Sequence, residues 1–69
     1  MKYAVRNKVS GKMVEIKKEN VMCEVIVEVS PDFAVTSVIT MDSLNESGIK
    51  VGDSVTALVK AINVVLVKD

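Results

Sequence analysis

The stretch Val21–Ser30, VMCEVIVEVS, restricts the fold of this chain more than any other. Val21, Cys23, Val25, Val27 and Val29 fall at every second position, and Met22, Glu24, Ile26, Glu28 and Ser30 fill the gaps. A period of two places alternate side chains on opposite faces of a β-strand, which no helix can do. Valine reinforces the reading, because its branched Cβ suits a pleated surface better than a helix. The first face is predicted to be core. The second is mixed, and its Met22 and Ile26 are expected to be covered by a neighbouring copy of the chain. Pro31-Asp32 should end the strand, since proline lacks the ladder donor.

The segments around it extend the β pattern. Over Lys12–Lys18, Val14 and Ile16 are predicted to share one side of a strand, with Glu15 and Lys17 on the other. Lys18-Glu19-Asn20 reads as a hairpin turn, with Asn20 a residue that tolerates left-handed backbone. Residues 33–40, FAVTSVIT, predict a third strand with no cleanly polar face, the pattern of a strand covered on both sides. The alternation breaks in MDSLNESGIKVGD. There Asp42 or Ser43 can cap a short helix, Ser43 to Glu46 fits a capping box, and Gly48 suits the left-handed terminating position with Ile49 behind it. Val51-Gly52-Asp53 makes a turn, and strands are predicted over 54–61 and 62–67. The predicted fold is all-β: a small five-stranded, OB-like antiparallel barrel with one short helix.

With 69 residues, the chain allows one domain, residues 1–69, and a thin core. Domains this small usually need a staple. One cysteine excludes an internal disulfide, and the absence of histidine argues against a zinc site, so self-association is the staple that remains. Nine basic and nine acidic residues cancel, which disfavours a general binder of nucleic acid or anionic membrane. No apolar run approaches the length of a membrane span, and the start lacks a signal-peptide pattern, so a cytoplasmic protein is expected.

Two groups of residues invite a chemical reading. Arg6 precedes the first strand, and Lys60 sits in the otherwise apolar TALVKAINV. Taken alone, they fit a solvated arginine and a rim lysine whose stem covers apolar surface. Together they also fit a pocket for a small dianion, with a forked guanidinium, a compact ammonium and backbone N–H donors. Thr36, Ser37 and Thr40 place hydroxyls on the third strand, where they either pair with backbone or serve as donors. Cys23 lies among valines with no histidine to activate it, so no catalytic role is assigned and no enzyme is expected. Glu24 and Glu28 read as a solvated strand face.

These residues have a familiar order. RNKVSGKMVEI resembles the A-R-N-x-L-x-G-x-V stretch of the molbindin (Mop, or TOBE-type) molybdate-binding domains. VTSVITMDSLNESGIKVGDSVTALVKAINVVL is similar to the second half of that family, in which T-S-I-I-S precedes a short helix and V-K-[AS] closes the pattern. The resemblance covers essentially the whole chain. It implies a hexamer, a trimer of dimers, that binds molybdate or tungstate without catalysis at subunit interfaces, for intracellular storage or homeostasis of the oxyanion. It implies no covalent cofactor, resident metal, nucleic acid or membrane partner. Carried onto this chain, the first class of site comprises Arg6, Asn7 and Lys60 with backbone at Val5 and Ala61, the lysine coming from a neighbouring chain. A second class includes Ser37. Ala4 and Ala61 stand where many members have serine, so two hydroxyl donors are missing, a loss of roughly 1–3 kcal/mol.

Two other readings compete. A structural assembly domain that has lost its anion would fit Ala4 and Ala61. A nucleic-acid-binding module of the OB type would need stacking aromatics and a basic groove, and this chain has one Phe, one Tyr and no net charge.

Overall fold

The computed structural model describes residues 6–69. Its elements run β1 (Asn7–Lys18), β2 (Met22–Ser30), β3 (Phe33–Thr40), α1 (Met41–Ser47), β4 (Ser54–Val59) and a single 3-10 turn, Ala61–Asn63. The four strands form one antiparallel sheet in the order β3-β2-β1-β4. No β3–β4 ladder closes it among the described residues, so the sheet is a curled half-barrel with β3 and β4 as free edges.

β1 holds the sheet together because it pairs on both sides. Asn7 to Lys12 run against Val59 to Ser54 of β4, and Lys12 to Lys18 run against Glu28 to Cys23 of β2. Between the two partners lies a bulge at Val14, where Met13 faces Val27 and Glu15 faces Ile26. One extra residue reverses the alternation. The prediction that Val14 and Ile16 share a face is therefore corrected: Met13 and Ile16 turn inward, and Val14 is exposed. The backbone of Met13 is satisfied elsewhere. Its N–H donates to the Asp53 carbonyl (2.9 Å), and its carbonyl accepts from Gly52 N–H (2.7 Å). Gly52 adopts φ 98°, a left-handed value that favours glycine.

In β2 the predicted core face holds in its middle. Cys23, Val25 and Val27 are buried, and Met13 and Leu44 complete the core. Its ends differ: Val21 is exposed, and Val29 is half-buried at a second irregularity opposite Phe33 and Ala34. The β1–β2 turn needs no left-handed Asn20, since no described non-glycine residue has positive φ; Glu19 N–H reaches the Met22 carbonyl instead. β3 matches its predicted bounds.

α1 begins one cap earlier than Asp42 or Ser43. Thr40 is the N-cap, its hydroxyl accepting from Ser43 N–H at 3.0 Å. A strand's last threonine thus doubles as the helix's first acceptor, and Ser43 becomes a helical residue. Gly48 closes the helix at φ 71° as predicted. α1 seats Leu44 in the core, and Ile49 packs behind it.

Among the described residues the predicted strand over 62–67 is not formed: residues 61–63 turn, and 64–69 join no ladder. The β-branched run has the side-chain preference of a strand, but a strand also needs a partner edge. Ile62, Val65, Leu66 and Val67 are 83–90% exposed.

Gly11 of β1 lies close against β2. A Cβ there would overlap the Glu28 carbonyl and lie 2.8 Å from Val27 Cγ1. Gly11→Ala is expected to destabilise the fold by about 1–3 kcal/mol, the usual cost of overpacking. Urea unfolding at equal subunit concentration checks this.

Candidate functional site

The β1–β4 ladder positions the predicted cations. Its last rung is Asn7 opposite Val59. Arg6 immediately precedes that rung on one strand, and Lys60 immediately follows it on the other. The antiparallel register therefore brings the two cations to one corner of the sheet within a single chain. Both are exposed. Neither has a carboxylate partner: the ion pair among the described residues is Lys17–Glu15, at 3.9 Å.

Alternation along the ladder sorts the remaining residues by face. Val55, Ala57 and Val59 are half-buried toward the concave side, while Ser54, Thr56 and Leu58 are exposed on the convex side. Lys60 keeps extended backbone (φ −64°, ψ 135°), so it continues the convex series after Leu58. Asn7, opposite Val59, belongs to the concave series. Its backbone shares the rung with the cations, but its side chain lies on the other face from Lys60. Ala61 opens the 3-10 turn, and no side chain caps that turn. Its carbonyl accepts from Val64 N–H, and the Lys60 carbonyl accepts from Asn63 N–H. The amides that lead such a turn have no partner inside it, and Ala61 N–H has no acceptor among the described residues. Val5 and Ala4 lie outside the described residues.

Ser37 is elsewhere. It pairs with Val25 on the concave side of β3 and lines a groove of about 340 Å³ between β3 and β4, with Thr36, Val35, Ile39, Val55 and Val59 along its walls. The hydroxyls of Thr36 and Ser37 have no partner among the described residues, whereas Thr40 is committed to capping α1. The three hydroxyls noted in the sequence are thus not one cluster.

The chemistry available at the corner is electrostatic. A guanidinium, an ammonium and a backbone N–H can together receive a small dianion. Among the described residues no group of His, Cys, Asp and Glu could hold a metal ion. Nor is any helix among the described residues long and apolar enough to cross a membrane.

With this geometry in place, the affiliation is direct. Residues 4–66 match the TOBE domain, and the chain belongs to that family. The chain is 39% identical over 66 residues to molybdenum-pterin-binding protein 2 of Clostridium pasteurianum, covering 96% of this chain and 97% of that one. A molybdate-binding protein from Sporomusa ovata shares the fold with a TM-score of 0.91 and 35% identity, over 99% of this chain and all (100%) of that one. MopII from Clostridium pasteurianum, in an apo form, gives 0.88 and 37% over 97% and 100%.

Cys23 is 2% exposed and packs among Met13, Val25, Val27 and Leu44. A thiol so placed behaves as a small hydrophobe. It is expected to react with a thiol reagent such as Ellman's only on unfolding. A rapid stoichiometric reaction with the native protein would contradict this packing.

Proposed function

We propose that this protein binds molybdate without catalysis, and that Arg6 and Lys60 carry the positive charge of the site. The observation that carries the reading is the last rung of the β1–β4 ladder, which two unpaired cations flank on one side of the sheet. Kinship with molybdenum-pterin-binding and molybdate-binding proteins supports the choice of anion. Tungstate, of the same shape and charge, is expected to compete. Ala61 N–H is a further donor, and Val5 and Asn7 backbone complete the first class of site. Ser37, in the concave groove, is assigned to a second class.

The energetics favour a site at a seam between copies. Two exposed cations in high dielectric hold a dianion weakly, because water screens each charge. Covering the corner with a second copy lowers the local dielectric. Hydrogen bonds to a charged acceptor then contribute roughly 1.5–3 kcal/mol each, and a few of them reach the ~8 kcal/mol of micromolar affinity. The exposed tail supplies the drive to associate. Burying a large aliphatic side chain contributes about 1.5–3 kcal/mol. Doing so for Ile62, Val65, Leu66 and Val67 rivals the ~5–15 kcal/mol stability of a whole small domain. A tail that adds as a strand to an edge of another copy would supply the missing fifth strand and close the barrel. A hexamer, as a trimer of dimers, is the assembly proposed. Its role is oxyanion storage or homeostasis inside the cell.

Equilibrium dialysis against molybdate, with sulfate as competitor, tests the reading. Retention of molybdate in preference to the smaller sulfate is expected. Arg6→Ala and Lys60→Ala should each weaken retention about 10- to 100-fold, the loss of one charge-assisted contact. No retention by the unmodified protein at physiological salt would overturn the function and leave an assembly domain. Retention untouched by both substitutions would move the site elsewhere.

A further inference from the structure

We propose that Lys8 is a third cation of the oxyanion corner and sets its affinity and salt dependence; this rests on the reading of Arg6 and Lys60 above. The stretch A-R-N-x-L-x-G-x-V leaves position 8 open, so the shared pattern does not call for a lysine there. The ladder gives it a place. Lys8 pairs with Leu58, on the rung next to Asn7–Val59. Val9 and Gly11 are half-buried on the concave side, whereas Lys8, Ser10 and Lys12 are exposed. Lys8 therefore shares the convex face with Leu58 and with Lys60, two residues beyond Leu58. Diagonal neighbours of this kind sit about 7–8 Å apart, and Arg6 lies two residues, roughly 7 Å, along the same strand. Flexible cationic side chains converge over such distances, so one tetrahedral dianion can sit within reach of all three.

The surroundings leave Lys8 without a competing partner. The outward positions of this ladder are Lys8, Ser10, Lys12, Ser54, Thr56 and Leu58, and none is acidic. Ser10 and Thr56 satisfy each other at 3.2 Å, so the next outward-facing rung is neutral. The nearest cross-strand carboxylate along β1 is Glu28, opposite Lys12, roughly 13 Å farther along the strand. Three like charges around one corner repel each other when it is empty and are relieved together when a dianion arrives. Lys8 also offsets what Ala4 and Ala61 take away, because long-range attraction replaces short-range donors. The trade has a signature. A hydroxyl contact is insensitive to salt, whereas an exposed cation several ångströms from its anion is screened once the Debye length, about 10 Å at 0.1 M, shrinks further.

The test compares molybdate affinity by titration calorimetry on the full chain, at low and high sodium chloride, for the unmodified protein, Lys8→Gln, Lys8→Arg, Lys12→Gln and Arg6→Ala. Lys12→Gln removes the same charge from the same face four rungs away. Lys8→Gln is expected to weaken binding roughly fivefold to tenfold at low salt and to differ little from the unmodified protein at high salt. Lys8→Arg should restore the affinity, and Lys12→Gln should change it less than about twofold. Equal effects of Lys8→Gln and Lys12→Gln, or no effect of Lys8→Gln while Arg6→Ala abolishes binding, would overturn the role of Lys8 alone. No molybdate binding by the unmodified protein would overturn the site itself.

Discussion

The structure depends on Met13. Its side chain fills the centre of a core of five buried residues, and its backbone N–H and carbonyl are both taken by the Gly52-Asp53 turn. That arrangement lets a single strand serve two partners. β1 leaves β4 and takes up β2 at Lys12, which pairs with both Ser54 and Glu28. The bulge at Val14 resets the alternation just beyond, so Met13 and Ile16 face the same core. Without it, one half of β1 would turn its apolar side to water. The N-terminal half of β1 holds β4 in register, and that register alone brings Arg6 and Lys60 to one corner.

The same economy leaves the monomer unfinished. The buried set is Met13, Cys23, Val25, Val27 and Leu44, a small core even for a domain of this length. Among the described residues the sheet keeps two free edges and a concave groove, and the apolar run beyond β4 has no ladder partner. Exposed edges invite pairing with another chain. In the assembly proposed above, that liability would become a seam, and the unpaired cations at its rim would be neutralised by the anion held there.

Much of this was legible in the residues. VMCEVIVEVS specified β2 and its buried face because its alternation is unbroken. Gly48 marked a left-handed helix end and Gly52 a turn, since glycine takes such backbone without strain. Arg6 and Lys60 stood out as cations beside apolar neighbours. What escaped was non-local. The Val14 bulge depends on the turn at Gly52-Asp53, nearly forty positions away, and no periodicity within β1 reveals it. Thr40 as N-cap was hidden because the strand ends where the helix begins, leaving no loop to signal the boundary. The run after Lys60 has strand composition, but it finds no partner edge among the described residues. Lys8 was missed because its meaning lies in register: only the pairing with Leu58 shows that it shares a face with Lys60.

The most direct measurement is native mass spectrometry of the full chain, with and without molybdate, since subunit number and bound anion appear in one spectrum. A hexamer that gains mass in steps of molybdate is the expected result. A folded single subunit that takes up no molybdate would contradict it, because the seam between copies and the site it completes would both be absent.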